Sequence, residues 1–121
     1  MNRRSAGRIA EQLAAEYLVK RGCTVLERNL RIAGVEVDIV AADGRTLVFV
    51  EVKSSDFFDA RPAEHVTDTQ MLRYVRAAEA YLASHGLSGV PVRFDVAEVT
   101  DGRVVYTEDA FDASTPKKRR K

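Results

Sequence analysis

The chain has 121 residues, of which 45% are apolar and 31% are charged, and its formal net charge is +1. This length suits one domain with a hydrophobic core, and the composition is ordinary for a soluble globular protein. The single cysteine, Cys23, excludes an internal disulfide and a cysteine-based zinc site, and it favours a reducing cytoplasm. No apolar run approaches the roughly 20 residues that span a membrane. We therefore predict a cytoplasmic protein without a membrane partner.

The N-terminal half predicts a helix followed by three strands. The helix is amphipathic and is expected over residues 6–21, with Ser5 as its N-cap and Gly22 as its C-terminal stop. The strands alternate apolar and polar residues, and glycine with a small or acidic neighbour marks each turn between them. They are predicted over residues 23–32, 35–42 and 46–53, with turns at Ala33-Gly34 and Asp43-Gly44.

The C-terminal half predicts a loop over residues 54–66, a second helix over residues 67–85 and two further strands. These strands cover residues 90–99 and 103–107 and are joined by a turn at Asp101-Gly102. The order α-β-β-β-α-β-β predicts an α/β domain with one mixed sheet flanked by helices. The buried face of the second helix is predicted from its three- and four-residue spacing to carry Met71, Val75, Ala78 and Leu82.

Four charged residues interrupt the apolar pattern of the second and third strands: Glu36, Asp38, Glu51 and Lys53. If Asp43-Gly44 is a two-residue turn, Asp38 lies opposite Phe49 and Glu36 lies opposite Glu51. Alternation then places the four charges and Phe49 on one face of the sheet. The other face is predicted to carry Val35, Val37, Ile39, Val48, Val50 and Val52.

Carboxylates at this spacing can converge on one cation, and hard oxygen ligands suit Mg²⁺ or Mn²⁺ better than zinc. Lys53 would lie beside the metal, where it could act on a water or on developing phosphate charge. The alternative is a solvated face on which Glu51 and Lys53 form an ion pair, which contributes ~0–1 kcal/mol. The grouping of three acids beside Phe49 favours the metal site.

Asp38, followed on the next strand by Glu51-Val52-Lys53, is similar to the PD-(D/E)xK signature of restriction-endonuclease-like nucleases. More narrowly, the chain from about residue 7 to residue 112 resembles the bacterial YraN-like family of predicted endonucleases. One departure is Val35, which stands where that family usually has a second glycine. The matching segments are GRIAEQLAAEYL, Arg28-Asn29, GVEVDIV, FVEVK, residues 62–67, RAAEAYL, RFDV and EDAF.

The resemblance implies a restriction-endonuclease-like fold in which Asp38 and Glu51 bind the metal and Lys53 assists the water. Glu36 is expected to support the site. The resemblance also makes Glu11 a catalytic candidate, since it lies at the edge of the apolar stripe of the first helix and could reach over the sheet. The alternative for Glu11 is a favourable acid in the first helical turns.

Gln70 and Tyr74 have a Q-x-x-x-Y spacing that resembles the motif following the active site of RecB-type nucleases. In those proteins the two residues support the site or contact DNA, so both are candidates for substrate binding. The alternatives are that Thr67 and Gln70 form a capping box and that Tyr74 packs in the core. We favour the cap for Gln70, with contact to DNA as a second role.

Five basic residues could follow a phosphate backbone beside the acids: Arg28, Arg31, Arg61, Arg73 and Arg76. Of these, Arg28 and Arg73 are the candidates for substrate binding. Asp95 is expected to pair with Arg93 or Arg28. The endonuclease-like domain is predicted to cover residues 1–112, followed by a basic tail over 113–121. The tail is interpreted either as a disordered, solubilising segment or as a contact for phosphates.

Together these patterns predict a Mg²⁺- or Mn²⁺-dependent nuclease whose partner is nucleic acid, with DNA as the expected substrate. Two alternatives retain the fold without the chemistry, because a fold does not itself establish activity. One is a non-catalytic module that binds nucleic acid, and the other is a module that binds protein.

Overall fold

The computed structural model describes residues 3–54 and 66–115, with side chains from residue 7 onward. Most of the predicted loop and residues 116–121 of the predicted tail lie outside these residues. The seven elements follow the predicted order, which is confirmed. They are α1 (Arg3–Lys20), β1 (Thr24–Ile32), β2 (Val35–Asp43), β3 (Thr46–Ser54), α2 (Asp68–Ser84), β4 (Val92–Thr100) and β5 (Arg103–Phe111).

The five strands form one mixed sheet in the order β1-β2-β3-β4-β5. Neighbouring strands are antiparallel except β3 and β4, which are parallel. The parallel pair needs a crossover connection, and α2 lies within it. The predicted mixed sheet flanked by helices is therefore confirmed. Among the described residues, no helix is both long enough and apolar enough to cross a membrane.

The helices cover opposite faces of the sheet, and each face has its own apolar core. Around α1, Ala14 and Leu18 pack with Ile39, Val48 and Val50. The second and larger core lies around α2. Its members include Val35, Val37, Val40, Phe49, Met71, Tyr74, Tyr81, Phe94 and Phe111.

The predicted register of the β2–β3 hairpin is wrong by two residues. Asp43 pairs with Thr46, so the turn consists of Gly44 and Arg45 and not of Asp43 and Gly44. Gly44 has a positive φ of 59° and stands first in the turn, which is the glycine position of a type II′ turn. A shift of two residues preserves the faces, but it places Asp38 level with Glu51 and not with Phe49.

The predicted composition of the sheet faces is also partly wrong, because the alternation breaks at Asp38. Val37 lies in the α2 core, whereas Ile39, two residues later, lies in the α1 core. Strand β1 changes faces at the same level: Arg28 donates to Gln12 of α1, and Leu30 packs in the α2 core. Val35 and Val37 therefore share a face with Phe49.

The buried face of α2 differs from the predicted one by a small rotation. Met71 and Ala78 are buried as predicted, but Val75 and Leu82 are only partly buried. Tyr74 and Tyr81 take the central positions, with 3% and 4% of their surfaces exposed. Tyrosine can occupy a core when its hydroxyl finds a partner, and both hydroxyls do so here.

An ion-pair network ties β2, β4 and β5 together on the α1 face. Arg93 donates from Nε to Asp95 at 3.0 Å and from Nη1 to Asp43 at 2.9 Å. Asp95 is fully buried, and it also accepts from the Tyr106 hydroxyl at 2.5 Å and from the Asp109 N–H at 2.9 Å. The expected partner of Asp95 is therefore Arg93. Because every contact of this network is charge-assisted, we expect it to stabilise the sheet.

Substitution Asp95→Ala is expected to lower the free energy of unfolding by about 3–5 kcal/mol, since it leaves a largely buried guanidinium without its main partner. Glu108→Ala is the control, because the Arg21–Glu108 pair has side chains 55% and 50% exposed. The control should cost at most about 1 kcal/mol. Urea denaturation measures both values, and equal losses would contradict the account.

Candidate active site

The site lies where β2 and β3 stop pairing. Their last pair is Ile39–Val50, although β2 begins at Val35 and β3 continues to Ser54. Beyond that pair, the N–H of Val52 donates to Asp38 Oδ2 at 2.8 Å. At this point the Asp38 side chain, and not a main-chain carbonyl of β2, accepts the hydrogen bond from β3. We call the region formed by residues 36–38 of β2 and 51–53 of β3 the fork.

Tyr74 of α2 bridges the two strands at the base of the fork. Its hydroxyl accepts from the N–H of Asp38 at 3.3 Å and donates to the carbonyl of Val50 at 3.3 Å. Burial, followed by the charges of Glu51 and Asp38, raises the pKa of Tyr74 well above its usual value. The hydroxyl therefore remains protonated and can make both bonds. This position suits a residue that supports the site, and its burial leaves little surface for direct contact with substrate.

Glu51 meets Asp38 inside the fork. Burial raises the pKa of Glu51 to about 9, and a hydrogen bond with Asp38 and the Asp38 charge add to the effect. The charge of Lys53 acts in the opposite direction but does not offset it. Glu51 therefore keeps its proton at neutral pH and lies against Asp38. Two neighbouring carboxylates repel each other when both are charged, so such a pair is expected to bind either a proton or a metal ion.

Gln70 links the fork to the start of α2. Its amide Nε2 lies 3.5 Å from Glu51 Oε2, at the limit of a hydrogen bond. Its Oε1 accepts from the N–H of Thr67, and its own N–H donates to Thr67 Oγ1, so the capping box that we favoured is present. One side chain thus fixes the helix start and faces a carboxylate of the site.

Glu11 approaches the fork from α1. Partial burial raises its pKa, as does the charge of Asp38, whereas a hydrogen bond from Asn29 and the charge of Arg28 lower it. Glu11 therefore lies close to Asp38, although it belongs to the opposite layer from α2. Its alternative as an acid in the first helical turn is not what the structure describes, since α1 begins at Arg3 and has no acid in that turn.

A small cavity of about 160 Å³ opens beside the fork. Glu36 and Arg73 lie at its wall, and Glu36 also forms an ion pair with Arg31 at 3.2 Å. Arg73 is exposed and available for a ligand in this cavity. The remaining lining residues are Gly34, Val35, Glu51, Gln70 and Tyr74.

The structure thus brings together most of the residues that the sequence selected. The fork and its cavity gather Asp38, Glu51, Lys53, Glu36, Gln70, Tyr74 and Arg73, and Glu11 borders them from α1. Arg28 stands apart from the cavity: it donates to Gln12 at 2.9 Å and lies near Glu11. The sequence analysis did not predict the positive φ of 52° at Asn29, although asparagine adopts this conformation more readily than most residues.

The donor set of the fork suits a hard cation. Asp38 and Glu51 offer carboxylate oxygens, which are ligands that hard cations prefer. The charged groups that act on Glu51 are Asp38, Lys53 and Glu36. Within residues 3–54 and 66–115, no group of three or more His, Cys, Asp or Glu side chains is placed to hold a metal ion. Two carboxylates fit Mg²⁺, which commonly binds one or two carboxylates and completes its shell with water and substrate phosphates.

A family model described as the uncharacterised protein family UPF0102 matches residues 10–99. The chain belongs to the UPF0102 family. It is 44% identical over 116 residues to a UPF0102 protein of Symbiobacterium thermophilum, covering 91% of this chain and 98% of that protein. A UPF0102 protein of Moorella thermoacetica is 46% identical over 101 residues, covering 82% and 83%. The described fork lies within the matched region.

Among solved structures, the UPF0102 chain is similar to Pyrococcus furiosus SfsA in complex with Ca²⁺. The TM-score is 0.37 and the sequence identity is 16%. The match covers 88% of this chain and 63% of that one.

The stability of the metal-free protein is expected to fall as the pH rises. Glu51 has a pKa of about 9 in the folded protein against a usual value of 4.5, so the folded state keeps a proton that the unfolded state releases. The stabilisation is complete below the lower value and is lost as the pH rises through the upper one. Calorimetry from pH 5 to about 9.5 in EDTA measures this, with Glu51→Gln as the control. Parallel melting curves for the two proteins would contradict the raised pKa of Glu51.

Tyr74→Phe is expected to lower the free energy of unfolding by roughly 1–3 kcal/mol, because it leaves the Asp38 N–H and the Val50 carbonyl without the bridging hydroxyl. Tyr81→Phe is a matched control on the same helix, since it removes one hydroxyl that donates to the half-buried Glu27 at 3.3 Å. Chemical denaturation compares them. A loss no larger for Tyr74→Phe than for Tyr81→Phe would contradict the bridging role.

Proposed function

We propose that this UPF0102 protein is a metal-dependent nuclease that hydrolyses phosphodiester bonds in nucleic acid, with DNA as the expected substrate. The observation that carries the proposal is the contact between Asp38 and Glu51 at the end of the β2–β3 ladder. Burial and the neighbouring Asp38 raise the pKa of Glu51, so that Glu51 keeps a proton at neutral pH, and a divalent cation could take the place of that proton. Lys53 follows Glu51 on β3, so a positively charged side chain lies beside the two acids.

Asp38 and Glu51 would hold Mg²⁺ or Mn²⁺. When bound, such an ion supplies Lewis-acid stabilisation of phosphate charge and lowers the pKa of water. Asp38 accepts from the N–H of Val52, and Gln70 Nε2 lies 3.5 Å from Glu51 Oε2, so both carboxyl groups already have partners that fix their positions. Preorganisation of this kind supports catalysis more than an equal number of mobile acids would.

Lys53 is the proposed partner of the attacking water or of the phosphate. It is half-buried two residues beyond Glu51, and the strand keeps it on the Glu51 side of the sheet. Its positive charge acts on the Glu51 carboxyl. A cation there would stabilise the negative charge that develops on the phosphoryl oxygens. Glu36 is proposed to add negative charge at the cavity wall and thereby favour the metal ion.

Nucleic acid is proposed to approach over the cavity beside the fork. Arg73 lies at its wall, and contacts to phosphate position a substrate without selecting its sequence. Arg28 lies on the α1 side of the sheet near Glu11. It would contact a phosphate farther along the bound nucleic-acid chain.

The test is cleavage of single-stranded, duplex and branched DNA and of RNA with Mn²⁺ or Mg²⁺. Asp38→Asn and Lys53→Ala are expected to lower the rate by about 100-fold or more, since each removes charge stabilisation at the reacting group. Glu16→Gln and Lys20→Ala, exposed residues of α1, are the matched controls and should cleave like the parent.

Equal cleavage by the parent and Asp38→Asn would assign the activity to a contaminant and contradict the proposal. Salt-dependent binding of nucleic acid without cleavage by the parent would favour the non-catalytic binding module instead. Absence of both binding and cleavage would favour a protein-interaction module.

A further inference from the structure

A groove lies between α1 and β1, on the side of the sheet away from α2. Its volume is about 380 Å³, within the roughly 300–1,000 Å³ of small-molecule sites. Ala15, Val19 and Val25 give the groove an apolar wall. Val19 is 59% exposed, so part of this wall faces solvent. An apolar surface of this kind inside a groove suits a ligand with an apolar part.

Three charged residues form the rim of the groove: Glu16, Lys20 and Arg28. Two cations and one anion give the rim a net charge of +1. Arg28 Nη1 donates to Gln12 Oε1 at 2.9 Å, and Gln12 Nε2 donates in turn to Glu16 at 2.9 Å. These contacts fix the polar end of the groove between α1 and β1. The site therefore combines an apolar wall with a positively charged rim.

Two arginines of β1 bracket the level of the fork. Arg28 pairs with Ile39 of β2, and Arg31 pairs with Glu36, nearer the start of β2. Asp38 lies between these two levels. Arg31 Nη2 lies 3.2 Å from Glu36 Oε2 in an ion pair whose side chains are 84% and 49% exposed. Such exposed pairs contribute little, so a phosphate can replace Glu36 on Arg31.

Both arginines point to the same side of the sheet as the groove. Arg28 contacts Gln12 of α1. Leu30 and Ile32 pack in the α2 core, so Arg31 between them points to the α1 side. In a regular strand, residues three apart point to opposite faces. The change of faces in β1 therefore aligns the two arginines beside the groove.

A nucleotide whose base is unpaired matches this surface. Its phosphates are anionic, and its base has an apolar face that packs against aliphatic side chains or a guanidinium plane. A base within a duplex is stacked on its neighbours and does not offer that face. A second copy of the chain fits less well, because a symmetric contact would bring two rims of net positive charge together.

We propose that the groove between α1 and β1 binds the base of an unpaired nucleotide, while Arg28 and Arg31 bind phosphates on either side of the scissile bond. The substrate class is therefore nucleic acid with a single-stranded segment. The inference rests on the proposed function, since the scissile phosphate is the one that meets the fork at Asp38.

The first test is binding of a labelled single-stranded DNA and of the blunt duplex of the same sequence, measured by fluorescence anisotropy in EDTA. Val19→Asn is expected to weaken single-strand binding by about fivefold, because it removes apolar contact with the base, and to leave duplex binding unchanged. Leu72→Asn is the matched control, since Leu72 is an apolar residue of α2 that is 47% exposed. Equal affinities of Val19→Asn and Leu72→Asn for the single strand would overturn the inference.

The second test is the salt dependence of single-strand binding. Arg28→Gln and Arg31→Gln should each reduce the slope of log K against log salt by about 0.7, the value for one phosphate contact. Arg45→Gln is the control, because Arg45 is exposed in the turn at the other end of β2. A slope unchanged in Arg28→Gln and Arg31→Gln would contradict the phosphate contacts.

Failure of this inference is distinguishable from failure of the proposed function, because binding is measured without metal. If the parent cleaves DNA with Mn²⁺ but Val19→Asn binds the single strand normally, only the groove assignment is overturned. If the binding losses occur and no cleavage is found, the groove is supported and the nuclease chemistry fails. A parent dimer in sedimentation that Val19→Asn dissociates without loss of DNA binding would make the groove an interface between copies and overturn the inference.

Discussion

The hydrogen bond from the Val52 N–H to the Asp38 carboxylate is the constraint on which the fork depends. A strand that stops pairing inside a sheet leaves buried N–H and carbonyl groups, and these groups need partners. Asp38 supplies the acceptor for β3, and the Tyr74 hydroxyl serves both strands at the base of the gap. The same contacts that satisfy the backbone therefore fix the Asp38 side chain level with Glu51.

This arrangement concentrates negative charge where a core would normally avoid it. Burial raises the pKa of both Glu51 and Glu11, and each lies close to Asp38. A protein selected only for stability would replace such a cluster with apolar residues, because buried charges without full compensation cost free energy. In the same sheet, the buried acid Asp95 pairs with Arg93 and accepts from two further donors, the Tyr106 hydroxyl and the Asp109 N–H. The contrast between the two acidic positions supports a ligand-binding role for the fork.

The elements and their order could be predicted from the sequence because glycine turns and apolar periodicity are local signals. The hairpin register could not be predicted from the sequence. Asp43-Gly44 fits the preferred residues of a type I′ turn, whereas the chain forms a type II′ turn at Gly44-Arg45. The exchange of faces at Asn29 and Asp38 was also missed, because alternation counts residues and does not detect a left-handed backbone. The central place of Tyr74 in the α2 core depended on hydroxyl partners that lie on distant strands.

The acids of the site were found in spite of the wrong register for two physical reasons. Because side chains alternate between the two faces of a strand, a register shift of two residues leaves each side chain on its predicted face. In addition, Glu51 and Lys53 lie on β3, whose alternation is regular. The sequence pointed to Glu11 mainly through the family resemblance. In the structure, α1 packs over β2 and β3, which brings Glu11 to the side of the sheet that carries the fork. The sequence did not reveal the left-handed backbone of Asn29, at the level where β1 changes faces.

The most direct measurement is a crystal structure of the protein soaked in Mn²⁺, with anomalous diffraction to locate the ion. The account predicts a peak between the carboxylates of Asp38 and Glu51, with Asp38 still accepting from the Val52 N–H. An ordered fork with no peak, or a peak held by other side chains, would contradict it.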